Sequence, residues 1–447
     1  MVGGGISGLA AAQRLRVLRP DVHVTVLEGS ARVGGVLRTV ELAGTAYDVG
    51  AEAFLVRRPE VPALLDELGL AGELVHPGGA APAVLAGGSV RPLPPRTLMG
   101  VPSTAESLRG VVSDDVVVRV AAEPELPWCW TPGADPSVGE LVRSRLGDEV
   151  VARSVDPLLG GVYSGSADSL GLRAAVPALA AALDAGAPGL LAGVAAALPV
   201  PQPGVPVFGA LRGGYGMLLD ALAAAADVRL GATVAAVTRT PGGWDVVVDG
   251  RSEAFDAVVL AVPAPVLARL LGRTVQVELA AVAVVGLAYA APARLPHTSG
   301  LLVATGEALH AKAFTHSSRK WPHLSGGPVL LRASLGRFGQ TAVLERTDDE
   351  LVALVRADLA AVHGITTAPV DAVVQRWTEG LPQYGPGHPE VVARLEAAVA
   401  QRPGLELAGS LLHGVGVPAC IGTGWAAAAR VAAHLAAGGA AAAPVAP

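Results

Sequence analysis

The first eight residues, Met1-Val2-Gly3-Gly4-Gly5-Ile6-Ser7-Gly8, carry G-x-G-x-x-G with Gly3, Gly5 and Gly8 in the three glycine places. Each position has a physical task in a dinucleotide fold: Gly3 turns sharply off a strand, Gly5 lets backbone approach a pyrophosphate, and Gly8 lets the following helix pack on the sheet. The phosphates then meet the helix N-terminus, where free N–H groups and the dipole favour negative charge. Glycine is common here, 56 of 447 residues, so context decides. Leu9 to Leu18 has helical apolar spacing, and Val22 to Leu27 reads as a strand. Glu28 follows 20 residues after Gly8, where an acidic side chain meets ribose hydroxyls. Only Met1 and Val2 precede the glycines, whereas strands usually run about five residues. The expectation is that the true start lies upstream of Met1 or that the first strand is clipped.

A chain of this length holds two or three domains. It is 51% hydrophobic and 16% charged, with alanine supplying much of the apolar content. A net charge of −6 argues against nucleic acid as the main partner, because phosphate backbones need a basic surface. Lys312 and Lys320 are the only lysines among 33 basic residues, the coding bias of a GC-rich, bacterial genome. Cys129 and Cys420 are too far apart in sequence for a metal motif or a disulfide framework. Reduced thiols in a cytoplasmic protein are therefore expected. No signal peptide is read, and the best spanning candidate, Ala174 to Val200, is broken by Pro177, Asp184, Pro188 and Pro199.

Further along, Arg32-Val33-Gly34-Gly35-Val36 suits a second approach to a diphosphate, which a nicotinamide-only enzyme does not need. Tyr47 to Glu52 reads as a strand end and a turn able to lie along a flavin ring. Pro59 to Leu68 reads as a helix, and Ala71 to Pro95 contains a hairpin near Ala83. Thr97 to Leu198 is largely helical, with Ser137 and Glu140 as a capping box. A glycine cluster at Leu211 to Met217 precedes a helix that runs to about Ala226. Strands are expected at Val228 to Val237, Trp244 to Val248, Ala257 to Val262, Val282 to Tyr289 and Val329 to Leu335, with a hairpin turn at Gly242-Gly243. A helix spans Asp348 to His363, a strand Gly404 to Gly409, and a final helix Ile421 to Leu435.

Four stretches together resemble the protoporphyrinogen and coproporphyrinogen oxidases of the flavin amine oxidase superfamily. They are Gly3 to Thr39; Asp156-Pro157-Leu158-Leu159-Gly160-Gly161-Val162-Tyr163-Ser164-Gly165 with Asp168 to Leu170; Ser318 to Pro322 with Arg376 to Tyr384 and Gly387-His388; and Leu407 to Gly409 with Gly414 to Ile421. The resemblance implies a mixed α/β chain with three parts. A Rossmann-type FAD-binding domain is built from residues 1–75, 205–270 and 400–437. A mixed-sheet substrate domain takes 76–96 and 271–399. An inserted helical, membrane-associating domain takes 97–204, and 438–447 is a disordered tail.

It also implies six-electron oxidation of a porphyrinogen, in haem biosynthesis, by non-covalent FAD and oxygen with release of hydrogen peroxide. Coproporphyrinogen III is the expected substrate and protoporphyrinogen IX the alternative; an amine oxidase or a carotenoid desaturase stands further off. The adenosine diphosphate end falls to Gly3, Gly4, Gly5, Ile6, Ser7, Gly8, Glu28, Gly29 and Val234. Arg32, Gly34, Gly35 and Val36 follow it, and Gly50, Ala51, Glu52 and Ala53 flank the ring with Trp377, Val415, Gly416 and Val417. Arg57, Arg58, Lys312, His316 and Lys320 are candidate partners of the propionates, since such carboxylates take charge-assisted bonds. Glu52 is a weak candidate base, and no catalytic residue is assigned. Expected partners are the porphyrinogen, oxygen and the next haem-pathway enzyme, a ferrochelatase, in the cytoplasm or peripherally at the inner face of the membrane. The family pattern is broken at Ala51-Glu52 and at Ser410 to His413.

Overall fold

The computed structural model describes residues 1–200, 204–290 and 295–441. Of the expected tail, 442–447 lie outside the described residues. The last helix, Val417–Ala441, begins before the expected Ile421 and continues beyond Gly438.

Val2 occupies the middle of a parallel sheet. Val2 bridges in parallel to both Leu27 and Leu260. Its N–H donates to the Val259 carbonyl and its carbonyl accepts from Ala261, both at 2.8 Å. On one side lie Thr25–Glu28 and then Asp227–Leu230; on the other lie Val258–Leu260 and then Leu405–Leu407, all parallel. The helix Ile6–Leu18 covers this sheet, and Val417–Ala441 packs along it. A Cβ on Gly424 would stand 2.4 Å from the Ser7 carbonyl oxygen, so the two backbones touch only because that residue is glycine. Beyond Asp227–Leu230 the chain turns at Gly231. The single strand expected over Val228 to Val237 is two, the second being Val234–Thr240. It opens a meander with Gly243–Val248 and Arg251–Phe255.

A seven-stranded mixed sheet forms the other large layer, in the order Asp371–Pro382, Leu279–Tyr289, Val329–Leu335, Ala311–Thr315, Gly300–Val303, Ala83–Ala86, Ser89–Pro92. Only Gly300–Val303 and Ala83–Ala86 pair in parallel. The amphipathic helix Asp348–His363 covers one face through Leu351, Val355 and Leu359. Its complete capping box joins Thr347 and Glu350. At the helix Val138–Leu146 only half of the expected box forms: Ser137 accepts from the Glu140 N–H at 3.0 Å. The helical stretch around Val142, Leu159, Leu179 and Val194 has its own core.

The helix Tyr215–Ala224 is tied to the hairpin Thr39–Leu42/Thr45–Asp48 at its N-terminus. Asp48 accepts from the Tyr215 N–H at 3.1 Å and from the Thr39 hydroxyl; that hydroxyl oxygen accepts from Gly216 N–H at 2.7 Å. The first-turn donors of a helix need such partners. Burial pushes the Asp48 carboxyl up to about 7 and outweighs these hydrogen bonds. The folded state therefore holds a proton that the unfolded chain releases near its ordinary value of about 4. Stability from this group is present below that value and is lost as pH rises through 7. Asp48→Asn keeps an acceptor for Tyr215 but carries no such proton. Its stability relative to the parent should rise from pH 4 to 7, by up to ~1.4 kcal/mol per unit. Urea midpoints at pH 4, 5.5 and 7 that run parallel for the two proteins would contradict this.

Candidate functional site

The phosphate loop has the packing its glycines require. At Gly3, φ is +103° and a Cβ would lie 2.3 Å from the Ala261 carbonyl oxygen; at Gly8 it would lie 2.0 Å from that of Gly3. At Gly5 the nearest heavy atom is Gly35 Cα, 3.9 Å away. Gly5 bridges to Gly34, and Gly34 N–H donates to the Gly4 carbonyl at 2.8 Å. Two glycine segments 30 residues apart in the chain thus face each other with bare backbone. This is a cradle that side chains would fill, and it fits a diphosphate beside the first turn, Ile6 to Gly8. Glu28 closes the far end, accepting from Gly4 N–H at 2.7 Å and Ser30 N–H at 2.8 Å. Gly29 lies against Thr233, which brings Val234 to the same end. The Val234 carbonyl also accepts from Arg269 at 3.1 Å.

Arg32 is held within its own loop. Its guanidinium donates to the carbonyls of Val33, Leu37 and Gly35 at 2.6–3.0 Å, which fixes the loop that presents Gly34, Gly35 and the exposed Val36. Over it, 5.6 Å from the ring centroid, lies Trp377. The Trp377 indole donates to the Val49 carbonyl at 3.0 Å and so braces the turn at Gly50, Ala51, Glu52 and Ala53. A Cβ on Gly50 would be 2.2 Å from the Val36 carbonyl oxygen. The residues from 32 to 36, 50 to 53 and 377 are therefore one cluster. Val417 shares a core with Ile6 and Leu37, while Val415 packs against the helical core.

Glu52 is half-buried and is not the basic site it was considered for. Its carboxylate accepts from Lys320 Nζ at 2.6 Å and the Trp321 indole at 2.9 Å, and lies 3.7 Å from Arg332. Burial alone would raise its pKa; the two cations and the hydrogen bonds overcome that and hold it at about 2. Such a carboxylate accepts protons poorly at neutral pH.

The five propionate candidates lie in different surroundings. Lys320 is committed to Glu52. His316 is fully buried; its Nδ1 faces the Thr298 carbonyl at 2.8 Å and its Nε2 the His363 ring at 3.1 Å, so it is a structural histidine. Lys312 sits in the register shift between Ala311 and Ala313. It donates to Ser164 Oγ at 2.6 Å and to the Gly336 carbonyl. Burial, with Arg337 adding to it, pushes its ammonium down to about 7. A bulge re-aims a side chain in this way. Arg57 and Arg58 alone of the five are exposed, and Arg58 pairs with Glu60 at 2.6 Å.

Sequence reasoning missed Arg332 and Tyr384 as site-building residues. Arg332 donates to the Asp48 carbonyl at 3.1 Å, and its signal was a charge inside the apolar strand Val329–Leu335. Tyr384 holds the Gly409–Gly414 loop. Replacing Glu52 by Gln would leave Lys320 and Arg332 uncompensated. We expect Glu52→Gln to lower stability by about 3–5 kcal/mol at pH 7. Because the folded pKa lies below the unfolded one, the deficit should be full above about pH 4.5 and shrink as pH falls towards 2. Urea unfolding at pH 7 and pH 3 measures both values, and a pH-independent difference would refute the assignment.

Among known proteins, the family model of flavin containing amine oxidoreductases matches residues 6–432. The chain is 50% identical to coproporphyrinogen III oxidase of Mycobacterium tuberculosis H37Rv over 434 residues, 94% of each chain. It is 29% identical to that of Bacillus subtilis, with 96% of each chain covered. The crystal structure of a putative protoporphyrinogen oxidase from Exiguobacterium sp. 255-15 superposes with a TM-score of 0.87 at 29% identity, over 97% of this chain and 98% of that one. The glycine cradle, the acidic residue at its end and the turn beside Trp377 are what a bound flavin dinucleotide needs. The chain belongs to the flavin containing amine oxidoreductase family, and within it to the coproporphyrinogen III and protoporphyrinogen oxidases.

Proposed function

We propose that this protein, with FAD, oxidises coproporphyrinogen III to coproporphyrin III in haem biosynthesis. The observation that carries this reading is the 50% identity to coproporphyrinogen III oxidases over 94% of both chains. Six electrons and six protons leave the substrate in three turnovers, and three oxygen molecules become three of hydrogen peroxide. Bound flavin supplies the hydride acceptor, and the cofactor rather than an acidic or basic side chain carries the difficult step. The protein binds and orients. Residues 1–75, 205–270 and 400–437 are assigned to cofactor binding, 76–96 and 271–399 to the substrate side, and 97–204 to the helical insertion. The cradle of Gly3 to Gly8 with Gly34 and Gly35 takes the diphosphate, Glu28 the ribose, and the turn from Gly50 with Trp377 and Val415 to Val417 the ring.

No helix among the described residues is long and apolar enough to cross a membrane. A cytoplasmic site of action, with handover of the porphyrin to a ferrochelatase, completes the proposal. Protoporphyrinogen IX is the second reading, and one observation favours it. Of five candidate cations only Arg57 and Arg58 are exposed, which suits two propionates better than four.

Initial rates of porphyrin fluorescence in oxygenated buffer decide between them. Coproporphyrinogen III should turn over faster than protoporphyrinogen IX, and the reverse order would establish the second reading. The double variant Arg57→Ala/Arg58→Ala should raise KM for the favoured porphyrinogen about tenfold or more, the size of one or two charge-assisted hydrogen bonds. Flavin content should stay unchanged. An unaltered KM would remove both arginines from the site.

A further inference from the structure

The segment between the strand Leu405–Leu407 and the helix Val417–Ala441 has little regular structure, yet three cores grip it. Ala408 and Val417 share a core with Ile6. Leu411 and Leu412 pack with Val2 and Leu260, and Val415 packs against the helical insertion. Its polar backbone is held at two ends. Gly409 N–H donates to Thr423 Oγ1 at 3.0 Å. Further on, one buried hydroxyl serves two loop groups at once: Tyr384 donates its O–H to the Ser410 carbonyl and accepts from the Gly414 N–H at 3.1 Å. Gly414 has φ of +140°, so the loop turns where this bond is made.

Tyr384 comes from far away, just past the strand Asp371–Pro382. Its ring is 2% exposed and stacks on His388 with centroids 4.0 Å apart and planes at 17°. Tyr163 lies 5.7 Å away. The Tyr384 carbonyl accepts from Gly171 N–H at 2.7 Å. Ring and backbone are therefore fixed independently of the hydroxyl. Burial raises the phenol further above its ordinary value, so the proton stays available for donation to Ser410.

We propose that Tyr384 is a positioning residue for the flavin. By bridging Ser410 and Gly414 its hydroxyl sets the curvature of the loop, so that the N–H groups of Val415 to Val417 and the positive end of the last helix face the ring. The inference rests on the proposed contact of Val415 to Val417 with the cofactor. Reduced flavin carries more negative charge than oxidised flavin, so a misdirected loop should disfavour the reduced form.

Tyr384→Phe keeps the stacked ring and removes only the hydroxyl. FAD should remain bound, with the two-electron reduction equilibrium moved about tenfold towards the oxidised form, ~30 mV for such a couple. The visible flavin bands should shift as well. Val417→Pro, at the first helical position where proline is tolerated, removes one of the N–H groups directly and tests the underlying contact. If both variants move the potential, the proposal holds. If Val417→Pro moves it and Tyr384→Phe does not, Tyr384 is only a core residue. If neither moves it, the loop does not face the flavin and the proposal falls with that contact. Should Tyr384→Phe yield no folded holoprotein, 4-fluorophenylalanine at position 384 keeps the ring and nearly its bulk while losing the hydroxyl donor. A potential equal to the parent's would then overturn the assignment.

Discussion

The inward-turned carboxylate of Glu52, held between Lys320, Trp321 and Arg332, is the contact on which the geometry of the site depends. It joins the turn after the hairpin Thr45–Asp48 to the seven-stranded sheet, through the strand Val329–Leu335 and the segment that follows Ala311–Thr315. Taking a charge out of water is costly unless it is paired and hydrogen-bonded, and each lone pair engaged here adds direction to the turn. Trp377 and Arg332 then fix the backbone just before Glu52, at Val49 and Asp48. Four residues from distant parts of the chain thus determine where Gly50 to Ala53 lie, and that turn closes the side of the glycine cradle occupied by Val36.

The cradle depends on the middle of its sheet. Val2 pairs on both sides. The neighbours Thr25–Glu28 and Val258–Leu260 are largely buried. Because the glycines follow at once, the loop has no slack: Gly3 is pressed against Ala261 and Gly8 against Gly3. The same tightness places Gly5 opposite Gly35 with bare backbone on both sides.

The cradle was legible in the sequence because its determinants are local: glycine spacing, an acidic residue at a strand end, and a helix with apolar periodicity. Helix Asp348–His363 and the hairpin at Gly243 were legible for the same reason. The cations were not. The scarcity of lysine carries no information on burial, and the bulge that turns Lys312 inward has no signature in Ala311-Lys312-Ala313. His316 shows the same limit, since its partner His363 lies 47 residues on. The long edge strand Asp371–Pro382 escaped because its half-buried residues do not alternate cleanly. Arg332, a lone charge in an apolar strand, was the one long-range partner whose sequence did carry a signal.

The titratable groups around the turn Asp48 to Glu52 share a property that bears on how the chemistry is divided. Glu52 is fixed as an anion by two cations. Asp48 caps a helix. Tyr47 is buried against Ser317 at 2.8 Å, with its phenol raised by burial. The Tyr215 hydroxyl is buried without a hydrogen-bond partner among the described residues, and burial raises it as well. Of these groups only Asp48 titrates near neutral pH, and its carboxyl is engaged by the Thr39 hydroxyl and the Tyr215 N–H. A reaction that needed a protein acid or base here would be badly served, whereas hydride transfer to a flavin needs only alignment and stabilisation of charge. The buried polar groups are used to hold backbone in place, at Asp48, Val49, Ser410 and Gly414. The site is built for position, and its side-chain chemistry is directed inward to maintain it.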